Sequence, residues 1–208
     1  MWIHTEESQK KITPDIALNY LKEGNKRFLS NLKTDRNLLK QVNQTSDGQY
    51  PFATVLSCID SRTSAELIFD QGLGDIFSLR IAGNVLNNDI LGSLEYACKI
   101  AKSKLIVVLG HTRCGAVISA ANDFKLGHFT GLVKKLKPAL DAETETTINR
   151  NGQNFSFVTS VSILNVKNTI NQIRKKSKIL NVMEKEEEIL ITGGIYDVET
   201  GEVTFFEN

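Results

Sequence analysis

Long apolar runs are missing from this 208-residue sequence. The longest one, Leu105 to Leu109, falls far short of the ~20 residues that a membrane-spanning helix needs. The first residues, MWIHTEESQKK, hold no apolar stretch before their charges, so we expect no signal peptide. These absences predict a cytoplasmic protein that does not bind a membrane.

Neither sign of charge is in excess, because 25 Lys and Arg residues stand against 24 Asp and Glu residues, for a net charge of +1. Nucleic-acid binding needs a concentrated basic surface, so no nucleic-acid partner is expected. No glycine-rich phosphate loop follows a predicted strand, which disfavours a nucleotide-binding module. Only three cysteines are present, too few and too odd in number for a disulfide framework. They suit a reducing compartment in which thiols pack or bind a metal.

The sequence has the length and composition of one compact domain over residues 1–208, with 41% hydrophobic and 24% charged residues. Thr13 followed by Pro14 predicts the start of a first helix, because a hydroxyl cap before proline favours helix initiation. The polar stretch 34–50 predicts a loop. Residues 1–50 are therefore interpreted as an N-terminal helical arm and loop, and 51–208 as the α/β core.

Short apolar runs without strict alternation predict strands that are buried on both faces, as in a parallel sheet. They alternate with helical segments, among them a helix from 88 to 103 capped by Asn88 or Asp89 and a long helix from 154 to 175. This order predicts an α/β fold with a mainly parallel sheet flanked by helices. A C-terminal hairpin should add an antiparallel edge strand. The predicted strands are 52–57, 76–80, 104–110, 187–197 and 202–207.

Two polar segments directly follow predicted strands, and ligands of open α/β sheets bind beyond the carboxyl ends of the strands. The first begins at Cys58, and the second contains His111 and Cys114. Two thiolates and an imidazole fit zinc with one coordination position left open. Free cysteines are more often simple packing residues, so that alternative stays open at this point.

Asp60 and Arg62 lie two residues apart, so an extended turn directs both side chains to one side. A structural ion pair is the simplest interpretation. The functional alternative is that Arg62 keeps Asp60 ionised and aimed beside a metal. There Asp60 would accept a hydrogen bond from metal-bound water, or bind the metal itself in a closed resting form.

Together these motifs resemble those of β-class carbonic anhydrases over nearly the whole chain. The Cys-x-Asp-Ser-Arg motif of the family is similar to Cys58–Arg62, and its Gly-His-x-x-Cys-Gly motif to Gly110–Gly115. Between them, GLGDIFSLRIAGNVL resembles the connecting segment of the family. The resemblance implies one Zn²⁺ per subunit, held by the cysteines and the histidine of the two motifs, with the Asp and Arg of the first as the catalytic pair.

In the plant-like subclass, the resemblance implies a substrate pocket completed by Gln49, Phe77 and Tyr96. Gly115 is a further expected substrate-binding residue. The other subclass carries a tryptophan three residues before the first cysteine, and this sequence has Val55 there. That difference favours the plant-like type.

A second apolar patch is predicted on the helix from residue 88, where Tyr96 and Ile100 lie one turn apart and away from the core-facing stripe. Such a patch indicates a protein interface. The resemblance implies a homodimer, or a dimer of dimers, in which each active site lies at the subunit boundary.

The activity implied by the resemblance is the zinc-dependent reversible hydration of carbon dioxide to bicarbonate and a proton by a zinc-bound hydroxide. Two alternatives stay open. One is a hydrolase that acts on carbon disulfide or carbonyl sulfide at the same zinc. The other is a zinc-stabilised binding or scaffold protein without turnover.

Overall fold

A single five-stranded sheet forms the centre of the computed structural model, which describes residues 4–207. Its strands are β1 Ala53–Ser57, β2 Ile76–Arg80, β3 Leu105–His111, β4 Leu190–Tyr196 and β5 Val203–Phe205. Their order is β2-β1-β3-β4-β5. The first three pairings are parallel and β4–β5 is antiparallel. The α/β fold, the mainly parallel sheet and the antiparallel edge strand are thereby confirmed.

The two central strands are buried along their whole length. Every residue of β1 and β3 is inaccessible, because helices cover both faces of the sheet. This explains why their sequences are unbroken apolar runs rather than alternating ones. The parallel register sets Ser57, the last residue of β1, beside Leu109 near the end of β3. The segments that follow these two strands therefore emerge side by side.

Helices account for most of the remaining described chain. They are α1 Glu6–Lys10, α2 Pro14–Leu29, α3 Leu38–Gln44, α4 Ala65–Ile68, α5 Asn88–Glu95, α6 Gly115–Ala121, α7 Gly127–Val133, α8 Lys137–Ala142, α9 Phe155–Lys176 and α10 Lys178–Lys185. A π-helical turn, Tyr96–Ile100, continues α5, and 3-10 turns lie at Ala82–Asn84 and Lys134–Leu136. Within residues 4–207, none of the helices combines the length and the apolar character required to cross a bilayer.

The observed helix cap agrees with the predicted one at α2 and differs from it at α5. The side chain of Thr13 accepts a hydrogen bond from the Ile16 backbone N–H at 3.3 Å, which confirms the predicted start. The cap of α5 is Asn87, whose Oδ1 accepts from the Ile90 N–H at 2.8 Å. The expected cap at Asn88 or Asp89 was wrong, because the preceding asparagine already has the extended backbone that a cap requires.

The stretch 34–50 is not only a loop, because it contains α3. Its apolar residues Leu38 and Leu39 are exposed, whereas the polar Gln41 is buried and accepts a hydrogen bond from the Leu73 N–H. A helix with this reversed pattern has no apolar stripe that faces the core, so periodicity could not reveal it.

Candidate metal centre

Three potential metal ligands meet at the carboxyl ends of β1 and β3. Cys58 directly follows β1, His111 is the last residue of β3, and Cys114 lies one turn beyond it. Their ligand atoms all lie within 4.8 Å of one another, and all three side chains are buried. The structure thus brings together the three residues that the sequence analysis proposed as ligands. They are close enough for one ion to bind all three.

A tight turn returns Cys114 towards His111. Arg113 has a φ of 54°, in the left-handed region that non-glycine residues rarely adopt. Thr112 fixes this turn to the C-terminal hairpin, because its Oγ1 accepts a hydrogen bond from the Val198 N–H at 3.0 Å. The unusual backbone at the turn therefore sets the spacing between imidazole and thiol.

The imidazole of His111 is oriented by its own loop. Nδ1 lies 2.9 Å from the Thr112 carbonyl oxygen, so Nδ1–H is the donor and Nε2 carries the free lone pair. Nε2 is buried and has no hydrogen-bond partner within residues 4–207. An unsatisfied buried nitrogen costs about 1–3 kcal/mol, and coordination to a metal would satisfy it.

The two buried thiols differ strongly in acidity. Hydrogen bonding with Cys114 lowers the pKa of Cys58 to about 4, and the neighbouring His111 and Gly83 act in the same direction. The pKa of Cys114 is raised well above its usual value, because its sulfur lies beside that of Cys58 and is buried. One thiolate forms readily and the second is opposed by the first. A bound cation would favour the loss of both protons.

The backbone of a glycine donates a hydrogen bond to the sulfur of Cys58. The backbone N–H of Gly83 donates to Cys58 Sγ at 3.3 Å. Gly83 has a φ of 65°, and an added Cβ would lie 3.2 Å from the Cβ of Ala116. Asn165 on α9 holds the same residue, because its Nδ2 donates to the Gly83 carbonyl oxygen at 2.8 Å. The position thus requires glycine for its conformation and its close contacts.

Asp60 and Arg62 form a two-pronged ion pair beside the cluster. Arg62 Nε donates to Asp60 Oδ1 at 2.9 Å, and Arg62 Nη2 donates to Asp60 Oδ2 at 2.8 Å. These bonds lower the pKa of Asp60 to about 2. The three grouped ligand atoms do not include a carboxylate oxygen. That Asp60 binds the metal in a closed resting form stays a prediction.

Arg80 positions this segment, a role that the sequence analysis did not assign. Its Nε donates to the Cys58 carbonyl oxygen at 3.0 Å and its Nη2 to the Asp60 carbonyl oxygen. Thr63 Oγ1 donates to the same Cys58 carbonyl at 3.1 Å. Arg80 lies opposite Ser57 in the parallel register. Pairing the predicted strands in register would have indicated it.

The expected substrate residues do not gather at the cluster within one chain. The rings of Phe77 and Tyr96 lie 6.4 Å apart and line a common groove, which none of the three ligands lines. Phe77 pairs with Thr54, towards the amino end of β1, whereas the metal ligands lie beyond its carboxyl end. Gln49 is exposed in the loop before β1. Gly115 alone of the four adjoins a ligand, as the first residue of α6.

Comparison with known proteins identifies the family. The family model described as carbonic anhydrase matches residues 53–203, which include all of the metal-cluster residues. This chain belongs to the carbonic anhydrase family. Carbonic anhydrase 2 of Mycobacterium tuberculosis is 42% identical over 135 residues, covering 61% of this chain and 64% of that protein. The match thus spans less than two thirds of the length of this curated relative.

Solved β-carbonic anhydrases share the fold. One from Aspergillus fumigatus is 26% identical, with a TM-score of 0.68 over 81% of each chain. A tetrameric one from Sordaria macrospora is 24% identical, with a TM-score of 0.69 over 80% of this chain and 85% of that one. The resemblance to the β class is thereby confirmed for this carbonic anhydrase family member.

Proposed function

We propose that this carbonic anhydrase family member catalyses the zinc-dependent reversible hydration of carbon dioxide to bicarbonate and a proton. The observation that carries the proposal is the buried group of two thiols and His111 Nε2, all within 4.8 Å, together with the lack of a hydrogen-bond partner for that nitrogen among residues 4–207. A carboxylate fixed by an arginine lies two residues from the first thiol. A purely structural metal site needs closed coordination and has no use for such a pair.

Zinc is the ion that we infer at this site, because Cys58 and Cys114 as thiolates and His111 as a neutral imidazole form a donor set that zinc favours. One zinc per chain follows from one such cluster in residues 4–207. When bound with an open fourth position, zinc lowers the pKa of its water to about 7 and supplies hydroxide at neutral pH.

The residues of the chain would orient the reaction. Asp60 accepts a hydrogen bond from the attacking water and directs the oxygen lone pair at carbon dioxide. Arg62 holds both carboxylate oxygens, so the carboxylate cannot rotate freely. Arg80 fixes the backbone on either side of this arrangement.

We further infer that the working protein is an assembly of identical chains. Phe77 and Tyr96 lie away from the metal cluster of their own chain, so a second copy must supply them if they line the substrate pocket. Tyr96 is 54% exposed and the adjacent Ile100 is 65% exposed, an apolar surface of the kind that interfaces cover. The related Sordaria macrospora enzymes are tetrameric.

A reducing compartment, such as the cytoplasm, suits this function. All three cysteines are free in the structure, and two of them must stay reduced to bind zinc.

Stopped-flow measurement of carbon dioxide hydration tests the proposal, on protein with verified zinc content and from about pH 6.5 to 9, around the expected pKa of bound water. We expect fast turnover that increases with pH. Carbonyl sulfide and carbon disulfide are assayed in parallel. A folded, zinc-loaded protein that hydrolyses only the sulfur compounds, or that has no activity at all, would contradict it.

A further inference from the structure

A cavity of about 200 Å³, separate from the metal cluster, lies between α9, the 3-10 turn before α8 and the segment Val85–Leu86. None of the three metal ligands lines it, nor does Asp60. Its occupancy is therefore a separate question from the reaction proposed above.

The charged groups that line this cavity are all cations. Lys134, Lys135 and Lys176 contribute three ammonium groups, and no Asp or Glu residue is present in its wall. Within the described chain, none of the three forms an ion pair. Lys137, by contrast, pairs with Asp141 at 2.9 Å. The cavity thus concentrates positive charge that the protein itself does not neutralise.

Two of these lysines are exposed but make hydrogen bonds to the protein. Lys135 Nζ donates to the Leu86 carbonyl oxygen at 3.3 Å, and Lys176 Nζ donates to Gln172 Oε1 at 3.0 Å. Each ammonium keeps further N–H donors, since a lysine has three. The side chains are thereby partly ordered before any ligand arrives, which reduces the entropy lost on binding.

Polar side chains form the wall beneath the lysines. Asn165 and Thr169 lie one helical turn apart on α9, and each is only 2% exposed. Asn165 is fixed by its bond to Gly83. The Thr169 hydroxyl makes no hydrogen bond within the part of the chain that the structure describes, although threonines in helices often bond to the backbone one turn before. It is available as a donor to an occupant.

We infer that this cavity binds a phosphate group, either as inorganic phosphate or as a small phosphate monoester. A phosphate monoester carries a charge of about −1.5 to −2 at neutral pH and three strong acceptor oxygens, which match several ammonium donors. Lysines bind phosphate as point charges and need no planar geometry. The apolar Val85 and Pro138 in the lining of the cavity suit the carbon atoms of an ester.

Isothermal titration of the zinc-loaded protein with inorganic phosphate, and separately with glycerol phosphate, tests this inference at constant ionic strength. We expect one saturable site per chain. Lys135→Gln with Lys176→Gln should weaken binding about tenfold or more, because two charge-assisted contacts are lost. Thr169→Val preserves charge and shape and should weaken it by a smaller factor. Tighter binding of the ester would identify the monoester as the ligand, and equal or weaker binding the free ion.

The matched control is Lys33→Gln with Lys40→Gln, which removes the same charge from exposed lysines of the N-terminal arm that do not line the cavity. This control should bind phosphate within about twofold of the unmodified protein, since distant surface charges are screened. The absence of saturable binding would overturn the inference. So would equal affinity in the Lys135/Lys176 variant, which would place the phosphate elsewhere, for example at the metal. Neither result depends on whether carbon dioxide is the substrate.

Discussion

Asp60 directs both of its carboxylate oxygens at Arg62, which lies only two residues further along the chain, with contacts of 2.9 and 2.8 Å. The pair has little freedom to rearrange, because the turn that contains it is also held by Arg80. Its position two residues from Cys58 supports the role proposed for the carboxylate, that of orienting a reactant at a bound metal.

Asp60→Asn is expected to keep the metal and lose about 10²-fold or more in carbon dioxide hydration, because the amide cannot act as an anionic acceptor. Metal content and stopped-flow rates measure the two effects. Arg62→Lys is the companion variant, since it keeps the charge but not the two-pronged geometry, and a smaller loss is expected. An unchanged rate in Asp60→Asn would exclude the orienting role.

Zinc should stabilise the fold through His111. At a free zinc concentration about 100-fold above the Kd, binding adds about 3 kcal/mol to the free energy of unfolding. Chelation should lower the Tm of the loaded protein, and His111→Ala should abolish the zinc-dependent shift. His128→Ala is the control, because His128 is exposed and lies outside the cluster. Equal zinc-dependent shifts in both variants would refute the assignment of the ligand.

Gly83→Ala should destabilise the protein by about 1–2 kcal/mol, because alanine disfavours the left-handed backbone. The new Cβ would also approach Ala116 and Leu136. Gly131→Ala is the control within α7, where an added Cβ meets no atom within 4 Å. It should stabilise by about 0.5–1 kcal/mol, as alanine favours helix. Urea unfolding measures both, and a neutral result at Gly83 would argue against the strained turn.

The arm is attached to the core through the buried carboxylate of Asp70, which binds Arg27, Arg36 and Thr34. Burial opposes its ionisation, but the hydrogen bonds outweigh burial and lower the pKa of Asp70 to about 2, below the usual 3.8. A lowered folded-state pKa stabilises the fold above the usual pKa. This stability is lost as the pH falls from about 4 towards 2.

Asp70→Asn should therefore cost about 2–3 kcal/mol at neutral pH and flatten the stability curve between pH 4 and 2. Chemical denaturation across that range measures the effect. Asp141→Asn breaks an exposed pair with Lys137 and should change stability by no more than about 0.5 kcal/mol. Equal acid sensitivity in Asp70→Asn and the unmodified protein would show that another group controls it.

Self-association should depend on the patch that contains Ile100. Ile100→Glu places a charge in the inferred interface and should weaken assembly by about 2 kcal/mol or more. Ile148→Glu is the control, because Ile148 is 74% exposed in a loop away from the Phe77 groove. Sedimentation velocity gives the oligomeric state. An assembly that is insensitive to Ile100→Glu would require another interface.

The sequence predicted the fold well because the core strands are buried on both faces. In β1 and β3 every residue is inaccessible, so the apolar run and the strand coincide. It predicted that Cys58, His111 and Cys114 would meet, because the neighbouring parallel strands β1 and β3 end at the same edge of the sheet. Both inferences need only local pattern and topology.

The sequence could not predict features that depend on long-range contacts. Helix α3 buries Gln41 and exposes its leucines, because the glutamine bonds to a backbone N–H far along the chain. The resemblance assigned Gln49 and Phe77 to the same active site as the metal ligands. A sequence motif does not show whether its residues meet within one chain or across two chains. Only the strand register separates Phe77 from Cys58.

Gly83 contacts a thiolate through its N–H and helix α9 through its carbonyl group. An N–H···S bond withdraws electron density from sulfur, so it tunes how strongly that sulfur donates to a metal. Asn165 binds the carbonyl group of this glycine, and within residues 4–207 it forms no hydrogen bond with the three potential metal ligands. A substitution at this buried helix position would thus change the donor strength of the Cys58 sulfur in the proposed metal centre, while each of the three potential ligands stays the same.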